Sequence, residues 1–306
     1  MCYNGYTMKN STIIAVVLVI IIGGIYFFTR SSSDNVDDID ITEDDNQIDD
    51  NVVATTTNRG SETIIGKSVG GRDITAYHFG KGDTELIFVG GIHGGYSWNT
   101  VLVAYEMMDY LNANPNVIPE NINVTVIPVL NPDGLNKVVG IAGRFTPSDV
   151  STLKSVLVSG RFNANTVDLS RNFDCNWQST GVWQTKSVSG GSKVFSEPES
   201  IAFKNYVEKY KPSAVVVWYS AAGGVYASSC NDGVSPQTST ITNIYAKASG
   251  YPAYESFDFY NTTGDVVNWL ANINIPAISV LLTTHSDVEW DKNQKGATAL
   301  LEYYSR

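Results

Sequence analysis

The sequence predicts an α/β fold in which a mostly buried β-sheet is flanked by helices on both faces, in a single domain preceded by one N-terminal transmembrane helix. Strand-like and helix-like segments alternate along residues 61–306. The runs VVVWY (215–219) and AISVLL (277–282) are apolar at nearly every position, which is typical of strands buried on both sides. About 245 residues are enough for one well-packed core.

Short runs rich in Val and Ile predict the strands, and longer amphipathic segments predict the helices. The strands are expected at 62–67, 73–79, 85–92, 122–129, 213–219 and 276–283. The helices are expected at 98–112, 197–210, 235–249, 264–271 and 288–304. His93, Tyr219 and Leu281 fall at or near strand ends, where open α/β sheets bind their ligands.

An apolar segment lies close to the N-terminus. A short leader, residues 1–11, precedes residues 12–28, an uninterrupted apolar run of 17 residues. At about 1.5 Å per residue, this run nearly crosses a bilayer core of about 30 Å. We interpret it as an uncleaved single-pass anchor with the C-terminal domain outside the cytoplasm. A cleaved signal peptide and a buried core helix are the alternatives.

Residues 29–60 have the composition of a disordered linker. Nine Asp or Glu lie between Asp34 and Asp50, and they account for nine of the eleven net negative charges, which leaves about −2 elsewhere. The acidic residues therefore lie in a linker whose like charges repel one another, and not on the surface of the domain. Binding of cations or basic partners by this linker is an alternative. No basic or repetitive segment indicates nucleic-acid binding.

Several segments of the domain resemble, in the same order, those of the zinc carboxypeptidase family. The matching segments are GGIHGGYSWNT (90–100), VTVIPVLNPDGL (124–135), VDLSRNFDCNW (167–177), VVVWYSAAGG (215–224) and IPAISVLLTTHSD (275–287). The resemblance covers roughly residues 62–306, and the motif sequences are most similar to those of bacterial members that trim cell-wall or other extracytoplasmic peptides. It implies a mixed β-sheet, a zinc ion held by two His and one Glu, and release of C-terminal residues from peptides.

Most of the family's metal ligands are replaced at the matching positions. His93 matches the first metal-binding His, whereas Tyr219 stands where the second His is expected. In the family members with the most similar segment, the metal-binding Glu lies at the position of Ser97. In other members it lies one residue earlier, at the position of Tyr96. One imidazole cannot hold zinc, so the resemblance predicts that no metal cofactor is bound.

The general base of the family is also replaced, because Leu281 stands at its Glu position. Leu cannot accept a proton, and we therefore expect no catalytic residue in this chain. His78 and His285 are interpreted as structural residues, with replacement of the lost ligands as the alternative. Restoring Ser97→Glu, Tyr219→His and Leu281→Glu together is expected to raise the zinc affinity.

The substrate-binding residues of the family are better preserved. Arg171 matches the Arg that binds the substrate's terminal carboxylate, and Ser170 replaces the Asn that precedes it. Arg161 matches a second Arg that polarises the scissile carbonyl. Tyr260 is placed like a mobile Tyr that closes over the bound peptide. Pairing of Arg171 with Asp168 and ordinary packing of Tyr260 are the alternative interpretations.

Two cysteines are expected to form a disulfide. Cys175 and Cys230 lie in segments that flank the active-site region of relatives, and an oxidising compartment favours their pairing.

These features predict a membrane-anchored extracytoplasmic domain that is catalytically inactive and binds the C-terminus of a peptide or protein, with cell-wall peptides as a candidate. Two alternatives stay open. The chain is an active zinc carboxypeptidase whose ligands lie elsewhere, or it is a protein-interaction scaffold that binds nothing in its cleft.

Overall fold

The computed structural model describes residues 59–306, and its centre is an eight-stranded β-sheet. The strands are β1 (Glu62–Lys67), β2 (Asp73–Gly80), β3 (Thr84–Val89), β4 (Ile122–Ile127), β7 (Ala214–Ser220), β8 (Gly224–Ala227), β9 (Ala253–Tyr254) and β10 (Ala277–Leu282), with β5 (Thr180–Trp183) and β6 (Lys186–Ser189) as a separate pair. The helices are α1 (Trp98–Ala113), α2 (Pro132–Val139), α3 (Lys154–Ser159), α4 (Pro198–Tyr210), α5 (Pro236–Ser249), α6 (Val266–Asn272) and α7 (Trp290–Tyr304).

The large sheet is mixed, and its strand order is β1-β2-β4-β3-β7-β10-β8-β9. The four central strands β4, β3, β7 and β10 run parallel to one another. Antiparallel pairs lie on either side of them, where β2 joins β4 and β8 joins β10. The carboxyl ends of the central strands therefore meet at one edge of the sheet, and Leu281 lies opposite Tyr219 in the register there.

Both faces of the sheet are covered by helices, as the apolar strands predict. Leu86 and Phe88 of β3 belong to a core that includes residues of α1, α5 and α7. Ile87 and Val89 of the same strand belong to a second core that includes residues of α4 and α6. Successive side chains of a strand point to opposite faces, so a strand between two helical layers must be apolar at every position.

The structure corrects several predicted boundaries. The strand predicted at 85–92 ends at Val89, because Gly90 and Gly91 turn the chain and Gly91 has a φ of +62°. The helix α2 was not predicted, since NPDG is typical of a turn; here the Asn131 side chain accepts a hydrogen bond from Gly134 N at 2.8 Å and caps the helix. The helix α3 and the strands β5, β6, β8 and β9 are too short to show a periodic pattern.

The predicted anchor at 12–28 and most of the predicted linker lie outside the described residues. Within residues 59–306, no helix has both the length and the apolar character needed to cross a membrane. Arg59, assigned to the linker by its sequence, forms an ion pair with the buried Glu85 and donates a hydrogen bond to Tyr206 at 2.7 Å.

Candidate functional site

A cavity of about 680 Å³ opens at the carboxyl ends of the central strands. Eleven residues singled out in the sequence line it, from segments that are distant along the chain: His93, Tyr96, Arg161, Ser170, Arg171, Cys175, Tyr219, Cys230, Tyr260, Leu281 and His285. The sheet topology explains the convergence, because the parallel strands β3, β7 and β10 deliver their following loops to the same edge.

The two candidate carboxylate positions differ in the structure. Tyr96 lines the cavity, with its ring centroid 4.9 Å from that of Trp183 and 4.6 Å from that of His285. Ser97 is buried and absent from the cavity lining, and its Oγ has no hydrogen-bond partner in the part of the chain that the structure describes. His78 is also remote from the cavity, because it is hydrogen-bonded to two threonines that flank it in the sheet.

Contacts between glycine backbones bring the segment of His93 against the segment of Arg161. Gly94 has a φ of +44°, and a Cβ atom there would lie 2.6 Å from the carbonyl oxygen of Gly160. A Cβ atom on Gly134 would lie 2.3 Å from the same oxygen. The three segments can approach this closely only because none of the three residues has a side chain.

The imidazole of His93 is buried, and both of its nitrogens have partners. Nδ1 lies 3.2 Å from Nη1 of Arg161, and Nε2 lies 2.9 Å from Oγ of Ser170. A guanidinium only donates, so Nδ1 is the acceptor and the proton lies on Nε2. Burial and the neighbouring Arg161 hold the pKa of His93 well below its usual value, and the imidazole is neutral.

Asp168 is fully buried and organises the polar residues beneath the cavity. Its carboxylate accepts hydrogen bonds from Nε of Arg161 and from Oγ of Ser170, each at 2.8 Å. Burial alone would raise the pKa of Asp168, but the charges of Arg161 and Arg171 and the hydrogen bond from Ser170 together hold it well below its usual range. Nε2 of His93 lies 3.7 Å from this carboxylate, but the neutral imidazole makes no ion pair with it.

Several contacts hold the guanidinium of Arg161 in place, but one of its nitrogens donates to none of the described residues. Besides its bonds to Asp168 and His93, it lies over the ring of Trp183, with Cζ 4.6 Å from the ring centroid. Only 1% of the residue is exposed, and none of residues 59–306 accepts a hydrogen bond from its Nη2. Since Arg161 lines the cavity, an oxygen of a bound molecule is the natural partner for this nitrogen.

Arg171 is buried without a carboxylate partner. Its Nη1 donates to the carbonyl oxygen of Ser170 at 2.8 Å, and its Nη2 donates to that of Val182 at 3.1 Å. Among the described residues, no carboxylate lies within 4.0 Å of this guanidinium, and only 2% of the residue is exposed. Asp168, the partner that the alternative interpretation gave to Arg171, is instead paired with Arg161.

Tyr219 and Leu281, which the resemblance places at the second metal position and the general-base position, form a more apolar wall. The ring centroid of Tyr219 lies 5.2 Å from that of His93, and its hydroxyl donates to Asp265 Oδ2 at 3.4 Å. Burial and the nearby Asp265 raise the pKa of Tyr219 well above its usual value, so its hydroxyl stays protonated. Leu281 is 7% exposed and adds only hydrocarbon to the cavity wall.

An aromatic wall on one side of the cavity was not predicted. It consists of Tyr226, Phe257, Phe259 and Tyr260, whose rings contact one another with centroids 5.0 to 6.4 Å apart. Phe259 is 64% exposed, which is unusual for a side chain of its size. The sequence SFDFY (256–260) carried the signal, since three aromatic residues lie within five positions. Cζ of Arg171 lies 5.8 Å from the Tyr260 ring centroid.

Cys175 and Cys230, the predicted pair, are joined by a disulfide in the structure. Both residues line the cavity, so the bond ties the loop after Arg171 to the loop after β8. The two loops that carry cavity residues are thereby held together covalently.

The zinc site implied by the resemblance does not fit the residues of this cavity. The unprotonated nitrogen of His93 receives a hydrogen bond from Arg161, and the hydroxyl of Tyr219 is directed at Asp265. No group of three or more His, Cys, Asp or Glu is positioned to hold a metal ion anywhere in residues 59–306. A stable zinc site requires about three such ligands, and neither His93 nor Tyr219 offers a free one.

Comparison with known proteins identifies relatives of the chain. The family model of the zinc carboxypeptidases (peptidase M14) matches residues 47–283. The γ-D-glutamyl-L-diamino acid endopeptidase 1 of Lysinibacillus sphaericus is 22% identical over 222 residues, which cover 65% of this chain and 54% of that protein. The catalytic chain of human carboxypeptidase N is 25% identical over 208 residues, which cover 63% of this chain and 40% of that protein. The chain thus spans about half the length of these relatives.

Solved structures share the fold. Murein-tripeptide amidase MpaA from Escherichia coli O157 superposes with a TM-score of 0.56 at 20% identity, covering 82% of this chain and 96% of that chain. Bovine thrombin-activatable fibrinolysis inhibitor, solved with a tick carboxypeptidase inhibitor, superposes with a TM-score of 0.62 at 16% identity, covering 80% and 88%. At these identities the likeness establishes the fold alone.

Proposed function

This chain belongs to the zinc carboxypeptidase family, and we propose that it is a catalytically inactive member that binds the C-terminal carboxylate of peptides. One observation carries the proposal. Arg171 is buried at the edge of the cavity, and no carboxylate of the described residues lies within 4.0 Å of its guanidinium. Asp168 and Asp265 act on this charge only from beyond ion-pair distance, so a carboxylate supplied by a ligand would give Arg171 the direct partner that these residues do not.

The rest of the cavity suits a peptide terminus. Nη2 of Arg161 offers a second donor without a partner, and it suits an oxygen of the ligand. The aromatic wall suits an apolar part of the ligand, and Tyr260 belongs to that wall, close to Arg171. An anion with a hydrocarbon portion matches this arrangement better than a free inorganic anion does.

The inactivity follows from the residues at the reaction centre. Hydrolysis in this family needs a metal to activate water and a carboxylate to accept its proton, and these two effects supply most of the rate. Here the corresponding positions carry Tyr219 and Leu281, and His93 is bonded to Arg161. An active carboxypeptidase would require three other ligands.

We further propose that the ligand is extracytoplasmic and that the chain is anchored by residues 12–28. The apolar run and the acidic linker support this arrangement, and the disulfide between Cys175 and Cys230 is typical of oxidising compartments. Two relatives are named for cell-wall chemistry, one as a γ-D-glutamyl-L-diamino acid endopeptidase and one as a murein-tripeptide amidase. A cell-wall peptide with a free carboxylate is therefore the ligand class to test first.

Calorimetric titration of the full-length chain tests the proposal. The probes are a γ-glutamyl-diamino acid peptide and an ordinary L-peptide, each with a free and with an amidated C-terminus. A charge-assisted contact is worth about 1.5 to 3 kcal/mol, so the amides and the Arg171→Met variant are expected to bind about 10- to 140-fold more weakly. Arg144→Met, which removes an exposed cation paired with Asp109, is the matched control and keeps full affinity.

Two results would contradict the proposal. Equal affinity for free and amidated peptides would favour a scaffold that ignores the carboxylate. Release of C-terminal residues by a sample that contains stoichiometric zinc would favour an active carboxypeptidase.

A further inference from the structure

The unprotonated nitrogen of His93 faces a cation that belongs to the protein itself. A metal ion binds a neutral imidazole through its unprotonated nitrogen, which in His93 is Nδ1. That atom accepts a hydrogen bond from Nη1 of Arg161 at 3.2 Å. Nε2 cannot take over this role, because it carries the proton and donates to Ser170.

The side chain of Arg161 is held against His93 by contacts with other residues. Its Nε is paired with Asp168 at 2.8 Å, its guanidinium lies over the ring of Trp183, and it is 1% exposed. Withdrawing the guanidinium would leave Asp168 as a buried charge without a counter-ion. The contact with His93 is therefore maintained by interactions that a metal ion would have to break.

We infer that the guanidinium of Arg161 takes the place of a metal ion at His93 and excludes divalent metals from the cavity. A cation held by Asp168 at this point repels a second cation and occupies the lone pair of the His93 imidazole. The Arg161 contact then prevents zinc binding in addition to the replacement of the ligands. Exclusion of metal by Arg161 is independent of peptide binding and is tested without peptide. Either proposal can therefore be contradicted while the other stands.

With Arg161 as a barrier to metal, restoring the three replaced positions is no longer expected to raise the zinc affinity. With Arg161 in place, Tyr96→Glu, Tyr219→His and Leu281→Glu together are expected to leave zinc binding at background. Tyr96 takes the place of Ser97 in this set because Tyr96 lines the cavity and Ser97 does not. Adding Arg161→Met frees Nδ1 of His93, and zinc affinity should then rise by more than tenfold and up to about 100-fold, the range over which a group in contact with a metal ligand alters metal affinity.

The experiment titrates zinc, and then cobalt(II), into full-length variants that pass a folding check by circular dichroism. Cobalt adds a visible spectrum that reports tetrahedral coordination independently of activity. The matched control adds Arg171→Met to the three reversions, because it removes the same charge from the same cavity without touching His93. Only the variant without Arg161 is expected to bind metal.

Three outcomes would overturn the inference. The reverted chain with Arg161 intact binds zinc within tenfold of the chain without it, or the Arg171 control gains equally, or the chain without Arg161 still fails to bind. The first shows that Arg161 is no barrier, and the second shows a general charge effect. The third shows that freeing His93 does not create a metal site.

The unaltered chain provides a test that does not depend on variants folding. Nitrogen-15 shifts of the imidazoles, assigned with His78→Gln and His285→Gln, should show His93 as a neutral ring with its proton on Nε2, unchanged by excess zinc. A ring protonated on Nδ1, or one whose Nδ1 shift moves on adding equimolar zinc, would refute the proposed contact.

Discussion

The buried pair of Arg161 and Asp168 is expected to behave unlike the surface ion pairs of this protein. Asp168 is 0% exposed and Arg161 is 1% exposed, and Nε lies 2.8 Å from Oδ2. The Asp168→Asn variant keeps the size of the side chain and the hydrogen bond from Ser170, but it leaves the guanidinium buried without a carboxylate. Removing one partner of a buried pair costs about 3 to 5 kcal/mol, a large share of a domain's total stability.

Removing both charges should cost less than removing one. In the double variant Arg161→Met and Asp168→Asn, no buried charge is left, and replacing a buried pair with apolar groups is often nearly neutral. We therefore expect the double variant to recover at least half of the stability that Asp168→Asn loses. Urea unfolding followed by tryptophan fluorescence gives the free energies for this cycle.

Asp109 provides the matched control, because its ion pair with Arg144 is exposed and has a similar N···O distance of 2.7 Å. Asp109→Asn is expected to change the free energy of unfolding by less than about 1 kcal/mol. If Asp168→Asn costs no more than this control, or if the double variant loses the full sum of both single losses, the buried pair does not hold the site together.

Three further predictions concern stability. Reducing the bond between Cys175 and Cys230, which are 55 residues apart, should lower the free energy of unfolding by about 4 kcal/mol in the chain-entropy estimate, and an unchanged urea midpoint would contradict this. Burial and the charge of Arg59 lower the pKa of His78 to about 4, so stability should fall as the pH drops from about 6.5 towards 4, because only the unfolded chain takes up the proton there. His78→Gln should flatten that slope, and an unaltered slope would refute the assignment. Gly134→Ala lies inside a helix, where Ala is normally favoured by about 1 kcal/mol, yet it should lower the melting temperature because its Cβ would clash with a backbone oxygen at 2.3 Å. Gly143→Ala, which meets no atom within 4 Å, is the control, and an equal effect of both would count against the glycine contact.

The large elements could be predicted because each follows from local pattern. The strand β7 is apolar at consecutive positions, and only a strand covered on both faces needs that composition. The short strands β8 and β9 were missed because two to four residues carry no periodicity. The helix α2 was missed because its Asn-Pro start also fits a turn, and only the observed cap distinguishes the two.

The candidate site was predictable as a set of residues but not as a set of contacts. The segments around His93, Arg171 and Leu281 indicated which side chains meet, and all three line the cavity. Sequence alone did not separate Tyr96 from Ser97, and only the structure puts Tyr96 on the cavity wall. The two positions are adjacent in one 3₁₀ turn, where successive side chains point about 120° apart, so only one of them faces the cavity.

Residue identity by itself determined that this chain lacks most of the donors of a zinc site, because Leu cannot accept a proton and a neutral Tyr is a poor ligand. It also determined the covered sheet, since apolar side chains must leave water. Only the tertiary structure decided that Arg161 lies against His93, pairs with Asp168 and keeps one free donor. The contact between Arg161 and His93 joins segments 68 residues apart, and its geometry depends on the glycine backbones that let these segments approach, which no local pattern records.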